Sequence, residues 1–367
     1  MSKAQSSNRE RRAWYKRITL WSVAIIVLGA MVLPLGSYVY TGIQEAQAQA
    51  VKDTNPRANY WRAVRGGEAG TSTITGTREG KVINDETNYL MNTGGENWRQ
   101  IRNGLIANYG GWFLFLVLLA ILAFFAWRGT IPLGNGRSGQ TVQRWNAFER
   151  FVHWVTAISF IVLAITGLSL LFGRAVLIPL MGYTGFSAWA GVAKGLHNFV
   201  GPWLFTPGVA LMIIMWIRHN IPNADDIQWF AKGGGIVGKQ HPPAGRMNGG
   251  EKIWFWFICT VGVAAIISGF FLDFPTWWAT TREGMQLANV VHGVTALAWI
   301  ALWFGHAYIG TIGTEGALEG MTSGQVDVNW AKQHHDRWYE ELQKKGQPAG
   351  AEAEGSEEPT AIKGQPA

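Results

Sequence analysis

Charge-free apolar windows alternate with polar stretches along this chain of 367 residues. Six windows contain no Lys, Arg, Asp or Glu, and each is at least as long as the ~20 residues with which a helix crosses a bilayer. These windows are 18–44, 103–127, 151–173, 195–217, 253–272 and 284–314. We therefore predict an all-α integral membrane helical bundle. A further uncharged stretch, 175–193, contains Pro179 and three glycines and is predicted as an interfacial segment rather than a seventh span.

Composition supports the membrane class and excludes several chemistries. Charged residues make up 15% of the chain and apolar residues 48%, whereas charged residues are about a quarter of a typical soluble domain. The single cysteine, Cys259, excludes an intrachain disulfide and a thiolate-bound iron–sulfur cluster. The net charge of +7 is accompanied by no nucleic-acid-binding motif, so we expect contact with the lipid bilayer and no nucleic acid.

The distribution of Lys and Arg predicts the orientation in the membrane. With a cytoplasmic basic N-terminus over 1–17, the inside loops 128–150 and 218–252 hold four and five basic residues. The outside loops 174–194 and 273–283 hold two and one, as the positive-inside rule expects. This places a polar segment, 45–102, in the periplasm, both termini in the cytoplasm, and the protein in a bacterial inner membrane. The tail 345–367 has a disordered composition.

The first window has two interpretations. We predict that 18–44 is retained as the first transmembrane helix. The alternative is a signal peptide, because Ala46-Gln47-Ala48 resembles a signal-peptidase site.

Four histidines fall within predicted spans, where ionisable side chains are costly and usually functional. His292 and His306 are 14 residues apart on one helix, so they share a face and are about 21 Å apart along its axis. By depth, His306 pairs with His153 on the cytoplasmic side and His292 pairs with His197 on the outer side. The other four histidines, which are His219, His241, His334 and His335, are predicted to be solvated.

Two levels with two imidazoles each are what two six-coordinate haem b groups require. Arg150 and Lys194 each precede a predicted ligand by three residues and face water, so we predict that they bind haem propionates. The alternative for any one of these histidines is an interhelical hydrogen bond, and glycines such as Gly167 are also ordinary packing positions.

Sequence motifs over residues 145–340 resemble the gamma subunit of respiratory formate dehydrogenase, a membrane cytochrome b with two haems. The matching stretches are FERFVHW, KGLHNFVG, RHNIPNADDIQWF, RMNGGEKIWFW, VVHGVTALAWIALWFGHAYIG and NWAKQHHDRWY. The resemblance implies a four-helix di-haem core with the same four histidine ligands, preceded here by two N-terminal transmembrane helices. It also implies a cytoplasmic-side quinone site near Asn248, Gly249 and Glu251, where better-known members carry Gln in place of Glu251. The alternative for RMNGGEK is an ordinary glycine-rich turn that caps a helix.

The predicted function is electron transfer rather than formate chemistry, for which the chain has no ligands of its own. The resemblance implies a catalytic molybdenum or tungsten subunit, an iron–sulfur subunit that delivers electrons, and two haems that pass them to menaquinone or ubiquinone with proton uptake. One alternative is a cytochrome b subunit of a hydrogenase or another quinone-linked oxidoreductase. Another is a haem-free membrane anchor or transporter.

Overall fold

The computed structural model describes residues 77–78, 81–82, 93–238, 240–276 and 281–345. The basic N-terminus 1–17, the first predicted helix 18–44, most of 45–102 and the tail beyond Lys345 lie outside the described residues.

Five helices in the described part are long and apolar enough to cross a membrane, which confirms the predicted class of fold. We number the helices in chain order. Helix α1 joins Thr93–Gln100, a π-helical stretch Ile101–Tyr109, and Gly110–Arg128. Helix α2 is Ala147–Phe172, and α3 joins Leu177–Val200, π-helical Gly201–Phe205, Thr206–Trp216 and a 3₁₀ turn Ile217–His219. After the short α4 (Ala224–Ala231), α5 joins Gly249–Phe257, π-helical Ile258–Gly262 and Val263–Asp273, and α6 joins Arg282–Tyr308 and π-helical Ile309–Gly313.

All five helices begin before their apolar windows, and two of them begin at least ten residues earlier. Helix α1 starts ten residues before the predicted 103, so the polar turns around Arg102 are helical. Helix α3 starts at Leu177 and includes the stretch predicted as interfacial. The glycine expected to break that stretch, Gly182, produces a kink with φ of 73°, a backbone conformation that glycine adopts without steric cost.

The remaining elements are short. A 3₁₀ turn, Gly233–Gly235, follows α4, and three more helices lie near the C-terminal end: α7 (Ala317–Thr322), α8 (Val328–His334) and α9 (Asp336–Lys344). Strands β1 (Thr77–Arg78) and β2 (Lys81–Val82) form one antiparallel pair. Strands β3 (Thr141–Gln143) and β4 (Gln325–Asp327) form another, in which Val142 is opposite Val326.

The chain divides into two compact units. The first comprises residues up to Ala123, Ser159–Thr206 and Val261–Phe304. Its interior is aromatic: Phe160, Phe205 and Trp299 pack with ring centroids 5.2 to 5.9 Å apart. Helix α1 approaches α6 closely at Gly110, where a Cβ would lie only 2.5 Å from Leu297 Cδ1.

The second unit comprises Phe124–Ile158, Pro207–Thr260 and the residues from Gly305 onwards. Its core lies around β3, β4, α8 and α9, and its buried members are Leu133, Val142, Val326, Val328, Trp330, Ala331, Trp338 and Tyr339. Over the described residues, the segment after α6 is therefore packed as part of this unit. Burial of its Trp and Val side chains removes apolar surface from water, which stabilises this packing.

Candidate functional site: two histidine pairs

His197 on α3 and His292 on α6 face each other within the first unit. Their ring centroids are 6.1 Å apart and their planes are nearly perpendicular, at 84°. We call these residues the 197/292 pair. Both side chains are partly buried in helices that are apolar over most of their length.

Hydrogen bonds fix the orientation of both imidazoles in this pair. His292 Nδ1 is 2.9 Å from the backbone oxygen of Ala265 and donates to it. His197 Nδ1 is 2.8 Å from Thr166 Oγ1, and this hydroxyl already donates its proton to the backbone oxygen of Val162. The hydroxyl must therefore accept from His197. In both rings the Nδ1–H is used, which leaves Nε2 as the nitrogen available to a metal.

Two glycines lie in close contact with the same imidazoles. A Cβ on Gly167 would lie 3.1 Å from His197 Cε1, and a Cβ on Gly269 would lie 3.1 Å from His292 Cε1. Each ring is thus confined between a hydrogen-bond partner and a glycine backbone. A larger side chain at either position would displace an imidazole from its present orientation.

A cavity of about 410 Å³ lies in the first unit and is lined by both imidazoles of the 197/292 pair. Apolar side chains such as Phe160, Leu163 and Ile300 form most of its wall. Polar groups also reach it, and these are Arg102, Lys194, Asn198, Thr206, Asp273 and Asn289. An apolar cavity with a few charged groups is the usual form of a cofactor site.

His153 on α2 and His306 on α6 face each other within the second unit. Their ring centroids are 6.3 Å apart, and the planes are inclined by 53°. We call these residues the 153/306 pair. His306 stacks on Trp254 with centroids 4.8 Å apart and planes nearly parallel, at 11°. His153 Nδ1 is buried without a hydrogen-bond partner, and the ring packs edge-on against Trp154.

The separation in each pair fits two imidazoles that ligate one iron from opposite sides. A metal–nitrogen bond is ~2.0–2.1 Å and the nitrogen is ~1.1 Å from the ring centre, so the two centroids are expected ~6.3 Å apart. The observed values are 6.1 and 6.3 Å. Within the described residues, no group of three or more His, Cys, Asp or Glu side chains could hold a metal ion. Two imidazoles with no further protein ligand suit a porphyrin, which supplies the remaining four nitrogens.

The two cations that were predicted to bind propionates have different surroundings in the structure. Lys194 lines the cavity of the 197/292 pair, and its role towards a propionate stays a prediction. Arg150, in the second unit, donates from Nη1 to the backbone oxygen of Thr322, and its Nε is buried without a partner. The guanidinium of Arg150 is thus already bound to the C-terminal end of α7, and its role towards haem stays a prediction.

The residues predicted for the quinone site form the N-terminal cap of α5. Asn248 Oδ1 accepts from the Glu251 N–H at 3.0 Å, and Glu251 Oε2 accepts from the Asn248 N–H at 2.8 Å. This reciprocal arrangement is a capping box. Gly249 is required by close packing, since its Cβ would lie 3.1 Å from both Trp229 and Phe230. The alternative of a helix-capping turn therefore describes the local structure, and the quinone role stays a prediction.

A buried arginine approaches the same carboxylate. Arg144 Nη2 is 3.2 Å from Glu251 Oε1, and the Arg144 side chain is only 2% exposed. Three indole rings surround its guanidinium at 5.0 to 5.2 Å, and they belong to Trp145, Trp330 and Trp338. Burial lowers the pKa of the Arg144 guanidinium, although the Glu251 carboxylate opposes this. Cation–π contacts and one ion pair thus stabilise a charge that is removed from water.

Sequence reasoning was wrong about one of the four histidines expected to be solvated. His335 is 1% exposed, and its Nδ1 donates to the backbone oxygen of Gly245 at 2.8 Å. Its Nε2 is 3.8 Å from Glu251 Oε2. Burial, together with the nearby Arg144 charge, lowers the pKa of His335 well below its usual value. His335 is buried because the tryptophans of α8 and α9 pack inward around it.

The other three histidines differ from His335 in exposure. His241 is exposed and lies edge-on to His334, with centroids 5.2 Å apart. His334 is half-buried, and burial lowers its pKa to about 3. His219 is also partly buried. The spacing of aromatic residues in NWAKQHHDRWY could have indicated that this region is buried. Such spacing is typical of a packed helix rather than a solvated tail.

Comparison with known proteins places this chain in a family. Residues 144–324 match the family model described as prokaryotic cytochrome b561. The cytochrome b556(fdo) subunit of formate dehydrogenase from Escherichia coli (strain K12) is 33% identical over 207 residues, which are 56% of this chain and 94% of the relative. The nitrate-inducible cytochrome b556(Fdn) subunit from the same strain is 27% identical over 207 residues, 55% of this chain and 92% of the relative.

A third relative is the cytochrome b556 subunit of formate dehydrogenase from Haemophilus influenzae (strain Rd). It is 30% identical over 200 residues, which are 52% of this chain and 79% of the relative. The same name thus recurs in relatives that this chain covers over most of their length. This chain belongs to the family of membrane cytochrome b subunits of formate dehydrogenase, and is a multi-pass bacterial membrane protein with an electron-transfer role that uses haem b.

Proposed function

We propose that this chain is the membrane subunit of a formate dehydrogenase complex in the bacterial inner membrane, and that it holds two haem b groups. Its partners are a catalytic subunit with molybdenum or tungsten and an iron–sulfur subunit that donates the electrons. Quinone, either menaquinone or ubiquinone, is the acceptor. The family membership and the names of the relatives support the complex.

The observation that carries the haem count is the geometry of the two histidine pairs. Two separate pairs have centroid separations of 6.1 and 6.3 Å, each suited to one iron. His197 and His292 are the proposed ligands in the first unit, and His153 and His306 are those in the second. When bound, haem b would supply reversible one-electron transfer, and a histidine pair that holds it would leave little room for oxygen chemistry.

The residues around the 197/292 pair orient the ligands and exclude water. Thr166 and the Ala265 carbonyl hold the Nδ1 protons, so both Nε2 lone pairs are directed away from these partners. Such outer hydrogen bonds fix the tautomer of the imidazole and raise its basicity. The apolar side chains of the cavity wall limit the access of water and lower the local dielectric constant. Both effects influence the redox potential of a cofactor bound there.

Glu251 is the proposed residue that holds a proton for quinol formation, together with Asn248 and Gly249 as the adjacent backbone of the quinone site. Its side chain is 37% exposed, so quinone or water can reach the carboxylate. Arg144 and the Asn248 N–H both bind this carboxylate. In this proposal each proton that Glu251 passes to quinone is replaced from the cytoplasmic side, which makes quinone reduction electrogenic.

Haem stoichiometry in the purified complex tests the proposal. We expect two haem b per chain by pyridine haemochrome assay and a b-type reduced-minus-oxidised spectrum. His292→Ala and His306→Ala should each lose one haem, while His241→Ala, which removes an exposed imidazole outside both pairs, should retain two. A preparation without haem, or one haem lost equally in all three variants, would contradict the assignment.

A further inference from the structure

Helix α1 contributes to the wall of the cavity that holds the 197/292 pair. Arg102 and Ile106, both on α1, line this cavity with the two imidazoles. The family model matches only residues 144–324, so α1 lies outside the part of the chain that defines the family. A helix outside the part of the chain that matches the family model thus reaches the candidate cofactor site.

Helix α1 is fastened to α6 on both sides of Arg102 along the sequence. On one side, Trp98 Nε1 donates to Asn289 Oδ1 at 3.3 Å, and Asn289 itself lines the cavity. On the other side, Ile106 is buried and Gly110 lies against Leu297. Contacts on both sides hold the backbone of Arg102 in place, so its position at the cavity is a fixed feature of the first unit.

The charge of Arg102 is uncompensated within the described part of the chain. Its Nη1 donates to the neighbouring Asn103 Oδ1 at 2.8 Å, and no described carboxylate forms an ion pair with it. Lys194 and the Asp273 carboxylate also line the cavity, and no ion pair between Arg102 and Asp273 is present. By contrast Arg99, one turn earlier on α1, is bound bidentately by Glu96 at 2.7 Å.

We propose that Arg102 binds a propionate carboxylate of the haem held by the 197/292 pair, which makes α1 part of this haem site. The inference rests on the proposed function, because it requires haem in this cavity. A guanidinium binds a carboxylate through two parallel hydrogen bonds, and the pair is strongest where water is excluded. Arg102 is therefore a positioning residue for the cofactor, and its positive charge near the bound haem would raise the haem potential.

Redox titration of the purified complex, followed by the haem spectra, tests the inference without reference to turnover. In Arg102→Gln we expect the midpoint potential of one haem to fall. At a fixed ambient potential, the ratio of its reduced to its oxidised form should decrease about threefold. For a one-electron couple this corresponds to a midpoint shift of roughly 28 mV. The affected haem should be the one that is absent in His292→Ala. Arg102→Lys, which keeps the charge, should remain near the wild-type potential.

Arg99→Gln is the matched control, because it removes the same charge from the same helix at a residue outside the cavity lining. Equal shifts in Arg99→Gln and Arg102→Gln, or no shift in either, would overturn the inference while leaving the two-haem function intact. Loss of both haems in Arg102→Gln would also overturn it, since the residue would then act on the whole fold. Absence of haem from the wild-type complex would instead reject the proposed function itself.

Discussion

The two histidine pairs have almost the same ring separation but are held by different forces. In the 197/292 pair, both Nδ1 atoms are hydrogen-bonded and both rings touch a glycine. In the 153/306 pair, His153 Nδ1 is buried without a partner and His306 is held by stacking on Trp254. Polar contacts thus orient the first pair, and aromatic packing orients the second.

This difference shows that one ligand geometry can be reached through two kinds of support. A hydrogen bond fixes a tautomer and a ring rotation, and it changes the basicity of the ligand. A stacked indole limits ring motion but leaves the nitrogens electronically less affected. We expect the two pairs to respond separately to substitutions in their surroundings, and the following experiments test that expectation from the largest effect to the smallest.

Replacement of Arg144 should have the largest effect, and the effect should be specific to the 153/306 pair. Arg144→Ala removes a guanidinium that is 2% exposed, with its ion pair to Glu251 and its contacts with three indoles. We expect a loss of about 2–4 kcal/mol in the free energy of unfolding, from the cavity and the broken polar contacts. Thermal release of the haem proposed for the 153/306 pair, followed spectroscopically, reports this loss.

The control for this prediction is Arg137→Ala in the same unit. Arg137 is 49% exposed and forms surface ion pairs with Glu315 and Glu319, which are worth at most about 1 kcal/mol. If the two variants release haem at the same temperature, the buried position of Arg144 does not stabilise the second unit as described.

Removal of the Thr166 hydroxyl should weaken the 197/292 pair alone. Thr166→Val takes away the acceptor of His197 Nδ1–H while keeping the shape of the side chain. Loss of such an outer partner typically costs 10- to 100-fold in metal affinity, so we expect about that decrease in haem affinity at this site. Haem loss to apomyoglobin measures the affinity.

Thr295→Val is the matched control, because its hydroxyl bonds only to backbone oxygens of its own helix. Thr166→Ser should restore the wild-type affinity. A decrease at both haem sites, or an equal decrease in Thr295→Val, would contradict a specific role for the hydrogen bond to His197.

Acidification should destabilise the second unit through His335. The pKa of His335 in the folded protein is well below its usual 6.5, so the unfolded state binds more protons below pH 6.5. Stability contributed by the neutral ring is therefore complete above pH 6.5 and decreases as the pH falls, by about 1.4 kcal/mol for each pH unit. Unfolding midpoints at pH 7.5 and 5.5 measure this decrease, and His335→Gln should reduce it. Parallel curves for the two proteins would disprove the assignment.

The smallest effect is expected from the stacked indole of the 153/306 pair. Trp254→Leu removes the ring that stacks on His306 at 4.8 Å. Aromatic pairs contribute about 0.5–1.5 kcal/mol beyond burial, so haem affinity at this site should fall roughly two- to tenfold. Trp256→Leu, which removes an indole bonded to the Asn220 carbonyl, serves as the control. A larger loss at the 197/292 site would reverse the comparison.

Much of the fold could be predicted from the sequence because membrane helices are long and free of charge. The window 253–272 corresponds to α5 within a few residues at each end. The starts of α1 and α3 could not be predicted, since Arg102 and Lys194 lie in helical turns beyond the apolar windows. Hydropathy detects the part of a helix that meets lipid, whereas helix ends depend on local hydrogen bonds and packing.

The candidate site shows the same limit. The 14-residue spacing of His292 and His306 is a local property of one helix, so the sequence reveals that they share a face. The role of Arg102 depends on how α1 packs against α6, and the burial of His335 depends on distant tryptophans. Contacts between residues far apart in the chain leave no periodic signal in a single sequence.

Helix α6 is regular α-helix without interruption from Arg282 to Tyr308, and its π-helical turns begin only after both of its histidines. The segment between His292 and His306 is therefore uninterrupted α-helix. One inserted or deleted residue there would rotate His306 by about 100° around the axis and remove it from the face of His292. A change of length elsewhere in the chain would leave this helical register intact, so the residue count of this one segment decides whether both imidazoles lie on one face.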